Sequence, residues 1–440
     1  MALNPKPKRL LLITSSGGGG LLQTATAKEQ EVRVQDPSTI ILRRDVMKDW
    51  MWGVIGDFFV HRWNQAQIRG NVAVQGFYVW GQRVIDGFLW PNYFFCGLYT
   101  LFKEDIDRVI DTQPMGTGPL IQALRIFNRF RSKQVLLEKV LVDLPTKRAI
   151  HFFRPIKKLS KKSRKWVKLV TIAPLLEEGQ TREQFWQKHC KLSDCEVQYE
   201  DVYVRQAFKK YQGVGKATEA KNYTVRFKTP DELALMKRTC TRGQIAFQEG
   251  TSEMHFHVGS QDRVITVLLG SQPAAEATLN YVKAVVELAR HPSSGRLPMH
   301  LFLFCADHKE GGLFQRVSNW VASVENYPEH LSIIPFGFQN DDVIAPLFSR
   351  SDLTCTRSGG QTAMELICVS NGEMWIHSEA KPKQGGLSNE DLLAGIPGWE
   401  SASAAYLQKI YGAKLITPHT FFELAVPVFR QAPAQRFKTG

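Results

Sequence analysis

Asp352-Leu-Thr-Cys-Thr-Arg-Ser-Gly-Gly-Gln-Thr-Ala-Met-Glu365-Leu366 reads as a strand over 353–356, a glycine-containing turn and a helix from about Gln361. Such a turn leaves backbone N–H groups unpaired at a helix start, where the helix dipole also favours negative charge, so it is a natural anion site. Glu365 then lies roughly 6 Å along the axis from Gln361. A carboxylate there is placed to accept from the two hydroxyls of a ribose while the turn holds phosphates, which makes a nucleotide the expected ligand. The plainer alternative is an ordinary βα connection.

The flanking sequence repeats the strand–helix alternation. Strands are expected at 263–269, 300–305, 331–335, 373–376 and 414–416, with helices at 274–290 and 312–324 between them. This is a β-α series with parallel strands and right-handed crossovers. It predicts a C-terminal domain over 259–440, its last helix a candidate to pack back on the N-terminal half. At 440 residues the chain is too long for one core, so a second domain is expected over 1–258. Its first unit is a strand at 9–13, the turn Ser16-Gly17-Gly18-Gly19-Gly20 and a helix near Leu22. That turn lacks the G-x-G-x-x-G spacing, and the second strand, 39–43, is followed by no suitable ribose-binding acid, which disfavours a dinucleotide fold. The segment 107–114 reads as a strand ending at a Pro turn, and a short strand at 140–142 puts Asp143 at its carboxyl end, where open α/β sheets place their ligands. Asp143 is therefore a candidate site carboxylate; a turn or helix cap is the other role open to it. Two doubly wound α/β domains facing one another across a cleft are therefore expected.

The formal charge of +14 calls for an anionic partner. Part of it lies in Lys157-Lys158-Leu-Ser-Lys161-Lys162-Ser-Arg164-Lys165-Trp-Val-Lys168, which contains no acid. This run is a solvated loop or a patch for anionic lipid headgroups. Between 50 and 102, Trp50, Trp52, Phe58, Phe59, Trp63, Phe77, Tyr78, Trp80, Phe88, Trp90, Phe95, Tyr99 and Phe102 are interleaved with Asp57, Arg62, Arg69, Arg83 and Asp86. Charges this frequent forbid a spanning helix. The rings suit a water–lipid boundary or the core of the first domain. Seven cysteines without a C-x-x-C pair argue against a disulfide framework or a zinc knuckle, and a reducing cytoplasm is expected. No helix-turn-helix, RNA-binding or zinc signature accompanies the basic run, so a nucleic-acid partner is not expected.

The segment Arg357-Ser358-Gly359-Gly360-Gln361-Thr362-Ala-Met-Glu365 closely resembles the donor motif of glycosyltransferase family 28, the MurG and monogalactosyldiacylglycerol synthase type, whose members have the two-Rossmann GT-B fold. Leu268-Leu-Gly270-Ser271-Gln272 resembles the turn opening that family's second domain, with Leu269 in place of a glycine. The turn Ser16 to Gly20 is similar to its acceptor-side loop, and Asp111-Thr-Gln-Pro and Val142-Asp143-Leu to its next strand ends.

The resemblance implies a UDP-sugar or similar nucleotide sugar as co-substrate, held by the C-terminal domain, and transfer with inversion to an acceptor that is often a lipid. It implies Glu365 on the ribose, Ser271 and Gln272 near phosphates and base, Gly359 to Thr362 around the diphosphate, and Glu400 and Ser403 near the donor sugar. Ser403 stands where the family has an Asn, which leaves the sugar open. Helix-terminal N–H groups can offset the departing charge, so neither a metal nor another cofactor is implied. The main departure is Leu21, at the position where the family commonly has a His base, and leucine cannot take a proton. Asp143 is then the first candidate base and Asp111 the second. His255 and His257 alternate as in a strand and are expected at the hinge between domains. The reading is a transferase peripheral on a cytoplasmic membrane face; a nucleotide-sugar epimerase or hydrolase, or a binding protein without catalysis, are the alternatives.

Overall fold

In strand β1 (Arg9–Thr14) every residue after the first is buried, and in β13, numbered below in chain order, all four are. Strands apolar on both faces need cover from both sides, and helices laid over a parallel sheet provide it. The computed structural model describes residues 7–51, 53–216, 219–292 and 295–430. Its N-terminal sheet contains β1, β2 (Ile40–Asp45), β3 (Arg108–Asp111), β4 (Leu137–Val140), β5 (Val167–Thr171) and β6 (Val197–Tyr199), in the order β2-β1-β3-β4-β5-β6. All its pairings are parallel. A three-stranded antiparallel sheet follows, β7 (Lys221–Arg226), β8 (Ala246–Glu249) and β9 (Glu253–Val258), with β9 in the middle. The C-terminal sheet contains β10 (Arg263–Leu268), β11 (Met299–Phe304), β12 (Leu331–Phe336), β13 (Leu353–Thr356), β14 (Glu373–His377) and β15 (Lys414–Ile416). Its order is β12-β11-β10-β13-β14-β15, all parallel. Two doubly wound α/β domains are thus present, and the strand order of the second is that of a dinucleotide-binding sheet.

The small antiparallel sheet precedes Gly259 in sequence but packs on the C-terminal sheet. Phe256 meets Phe302 edge to face at 6.2 Å, and the Arg226 N–H donates to Gln339 at 2.8 Å. His255 and His257 bond Thr224 and Asn222 of the neighbouring strand, at 2.9 and 3.0 Å. The last helix, Pro418–Arg430, stays on its own domain, with Phe421 stacked edge-on against Tyr281 and Trp375. The preceding helix, Glu400–Tyr411, is the one that crosses. Its Ala402 joins the N-terminal core beside Leu141 and Phe152, and the Tyr406 hydroxyl donates to the Ala173 carbonyl at 3.1 Å.

Strand β4 ends two residues earlier than expected, which leaves Val142 and Asp143 in the loop beyond it. The aromatic stretch forms the helices Gly53–Ile68, Val72–Phe88 and Trp90–Lys103. Trp52 and the side chains of Phe59, Tyr78, Trp80 and Arg83 lie outside the described residues. Trp50 is buried against Tyr93, whereas Phe58, Phe77, Phe88, Phe95, Tyr99 and Phe102 are exposed, so the stretch supplies both core and surface. Among the described residues no helix is long and apolar enough to cross a membrane. The basic run is not one loop, because it spans the end of helix Ile150–Lys157, the turn Lys161–Arg164 and part of β5.

Candidate functional site

Each parallel sheet has a point where the chain order reverses, between β1 and β3 in the first and between β10 and β13 in the second. Open α/β sheets leave a crevice there beyond the carboxyl ends of the strands. In this chain the two crevices face each other. Helix Gly19–Gln35 follows β1 with Gly18 as N-cap, and helix Gly360–Val369 follows β13 with Gly359 as N-cap; neither has a side-chain cap, so the first N–H groups are not taken by a capping side chain. A methyl group at Gly19 would lie 2.9 Å from Oγ of Ser271, and one at Gly360 would collide with the Val142 carbonyl oxygen. Glycine lets the Gly19 backbone approach the Ser271 side chain and the Gly360 backbone approach the Val142 carbonyl. Gly270, at φ +80°, makes the turn after β10 in a conformation that a side chain would strain.

Beside these contacts lies a cavity of about 240 Å³, bounded by Gly17 to Leu21, Gln113 to Met115, Val142, Asp143, His151, Gly359, Gly360 and Glu400. Met47, Met51, Val60, Trp63 and Trp399 complete an apolar wall, with the Trp63 and Trp399 rings 5.0 Å apart. The titratable groups on this wall are an aspartate, a glutamate and a histidine. Nε2 of His151 is 2.8 Å from Oδ2 of Asp143. With that nitrogen donating to the carboxylate, the lone pair of a neutral ring is on Nδ1. Glu400, the first residue of its helix, is 7% exposed, and its Oε2 has no hydrogen-bond partner among the described residues. Burial pushes its carboxyl up to about 7; Arg357 opposes the shift and Asp143 adds to it. The cavity therefore holds a paired imidazole and a carboxyl that exchanges protons near neutrality. Among the described residues no lysine or arginine lines it.

The other expected site residues are distributed around this centre. Asp111 is completely buried 2.6 Å from Lys139 Nζ and does not line the cavity, so its position is that of a structural ion pair. Glu365, 3% exposed, accepts from the Arg205 guanidinium at 2.7 and 3.0 Å, and Arg205 also pairs with Asp341. Burial raises the Glu365 carboxyl above its ordinary value despite that guanidinium. Gln361 accepts from Thr24 of the first domain at 2.8 Å and donates to Glu365 at 3.2 Å. Arg357 donates to Gln67 O and to Glu379 at 3.0 and 3.2 Å, tying the turn after β13 to the aromatic helices. Ser358 donates to the Glu400 carbonyl at 2.8 Å, and Ser403 accepts the Leu144 N–H at 3.2 Å. Ser271 is exposed; Gln272 and Thr362 are half-buried and Ser16 lies in the turn after β1. Leu21 lines the cavity, while His255 and His257 are in the small sheet, away from it. Among the described residues no three His, Cys, Asp or Glu side chains are grouped to hold a metal ion.

His151 and Arg205 escaped the reading of the sequence. His151 follows the strand-end aspartate by a loop and a helix start, and its one available signal was being the first histidine after Asp143. Arg205 sits in an interval without strong periodicity and carried none.

No protein-family model matches the chain, and no curated protein matches it. Among solved structures it is similar to MurG of Acinetobacter baumannii, at 12% identity over 98% of this chain and 95% of that one, with a TM-score of 0.44. The UDP-GlcNAc 2-epimerase of Neisseria meningitidis, bound to UDP-GlcNAc, is 10% identical over 96% of this chain and 99% of that one, with a TM-score of 0.42. An alpha,alpha-trehalose 6-phosphate synthase from Burkholderia multivorans is 12% identical over 98% and 90%, with a TM-score of 0.43. At such scores and identities the fold class rests on the strand orders above, not on these likenesses.

Proposed function

We propose that the chain transfers a sugar from a nucleoside-diphosphate sugar, a UDP-sugar first, to an acceptor hydroxyl, with inversion at the anomeric carbon. The observation that carries this reading is the Asp143–His151 pair in the cavity where the glycine turns of the two domains meet. It supplies a base where Leu21 cannot. In this mechanism Asp143 holds the ring and stabilises its protonated form while Nδ1 takes the acceptor proton. The acceptor oxygen attacks the anomeric carbon as its bond to the diphosphate breaks. Single displacement from the face opposite the leaving group inverts that centre. Protonated Glu400 donates to a sugar hydroxyl, and the free N–H groups at the start of helix Gly360–Val369 offset the charge on the departing diphosphate.

Donor entry on this account requires the domains to part, since Val142 closes over Gly360 and Arg205 occupies Glu365. The ribose hydroxyls then replace the Arg205 guanidinium on Glu365. Titration calorimetry of UDP checks this half: saturable binding, weakened in Glu365→Ala, is expected, and no heat with any nucleotide would sink the reading.

The acceptor we propose is lipid or membrane-borne. Phe95, Leu98, Tyr99 and Phe102 follow the spacing of one helical face, and Phe95 and Tyr99 are 64% and 63% exposed. Such a face, with exposed Lys103 at its end, suits shallow insertion at a cytoplasmic membrane surface. A second reading, epimerisation or hydrolysis of the nucleotide sugar, is favoured by one feature: His151 and Glu400 both line a cavity of only about 240 Å³. Turnover without any acceptor would identify it.

A further inference from the structure

Next to the acidic cavity, on the other side of His151 and Trp399, is a larger groove of about 600 Å³ that shares those two residues as lining. Its wall carries Lys147, Arg148, Arg154 and Lys158 against one carboxylate, Asp86. That carboxylate is already engaged by the Gly116 N–H at 2.8 Å. Lys147 and Arg148 make exposed ion pairs with Glu177 and Glu390, at 2.9 and 3.2 Å, and such pairs exchange readily for a better anion. Arg154 and Lys158 have no acidic partner among the described residues. The groove also receives the start of helix Ile150–Lys157, whose N-cap, Ala149, offers no side-chain acceptor. Like-charge repulsion in so small a groove persists only where solvent or a counter-anion screens it.

The two pockets touch and differ in lining: among the described residues only the groove carries lysine and arginine side chains, so a phosphate other than the donor's is drawn to the groove. We propose that the groove binds the phosphate or diphosphate of a phosphorylated acceptor, whose remaining part passes over Trp399 and presents its hydroxyl to His151. The anion site stands on the groove's own charges; only its link to transfer rests on the function proposed above. The phosphate can come from a soluble metabolite or from a lipid headgroup, and the test separates the two.

Inorganic pyrophosphate is titrated calorimetrically into the full chain in the presence of saturating UDP. The same chain is sedimented with phosphatidylcholine vesicles with and without phosphatidic acid. Each is repeated with Arg148→Ala/Arg154→Ala and with Lys161→Ala/Lys162→Ala, whose lysines lie on the basic run outside the groove. Arg148 is half-buried and Arg154 exposed, so the fold is expected to persist, which circular dichroism checks. Saturable pyrophosphate binding that weakens about tenfold in the arginine variant but not in the lysine variant supports a soluble phosphorylated ligand. Binding confined to phosphatidic acid vesicles, with the same variant dependence, supports a lipid-borne phosphate. Absence of binding in both arms, equal weakening in both variants, or displacement of pyrophosphate by UDP overturns the proposal. Failure here with UDP still bound leaves the donor reading standing.

Discussion

At the scale of single residues, the account depends on three side chains in one small cavity. His151→Ala removes the base while leaving the cleft intact, so turnover should fall roughly a hundred- to ten-thousand-fold with UDP affinity unchanged. Steady-state kinetics beside calorimetry reads both. Glu400 gives a stability prediction independent of activity. Its folded-state carboxyl, at about 7, is above the unfolded value of 4.5, so the folded state holds the extra proton across that interval. The group's contribution is therefore full below the unfolded value and is lost as pH rises through 7. Glu400→Gln should unfold at a higher temperature than the parent at pH 8, by up to roughly 3 kcal/mol of stability, and show no such advantage at pH 4. An equal effect at both pH values would contradict the buried carboxyl. Asp143 was legible because the carboxyl end of a parallel strand is a positional signal. Its partner was not, because a histidine at a helix start has no period or spacing that distinguishes it from a surface residue.

Among the elements, the glycines opening helix Gly360–Val369 have separable duties. A side chain at Gly359 meets nothing within 4 Å, whereas one at Gly360 collides with Val142 of the opposite domain. Gly360→Ala should cost about 1–3 kcal/mol in thermal or chemical unfolding, and Gly359→Ala close to nothing. Lys139→Ala would leave Asp111, the buried last residue of β3, without its cation, at a cost of about 3–5 kcal/mol in chemical denaturation. The strands of the second domain were nearly all readable, since most of their residues are buried and apolar and turn residues bound them. β13 and β15 lie at 353–356 and 414–416 as expected, and the others depart by about a residue at one or both ends. The stretch between 154 and 253 resisted ordering for a physical reason. β6 has three residues, β8 is mostly exposed, and the helix that follows β6, Gln206–Lys209, has four, so over much of the stretch neither period develops.

For the whole molecule, the contacts that close the cleft are the ones a sequence cannot display, because they join residues far apart in the chain. Thr24 with Gln361, Arg205 with Glu365 and Leu144 with Ser403 bind domain to domain. Arg205→Ala should destabilise the closed form by about 3–5 kcal/mol by stranding the buried Glu365 carboxylate, an effect chemical denaturation reads directly. Two domains and a facing cleft were legible from the repeated strand–turn–helix units; the closed state and the crossing of helix Glu400–Tyr411 were not. The central claim is that this cleft moves a sugar from a nucleotide to an acceptor with His151 as base. The most direct measurement incubates a radiolabelled UDP-sugar panel with lipid extract and the full chain, alongside His151→Ala. The account predicts a labelled product that needs both donor and extract and disappears in the variant while UDP still binds. A product formed equally well by His151→Ala, or label released from the donor without any extract, would contradict it.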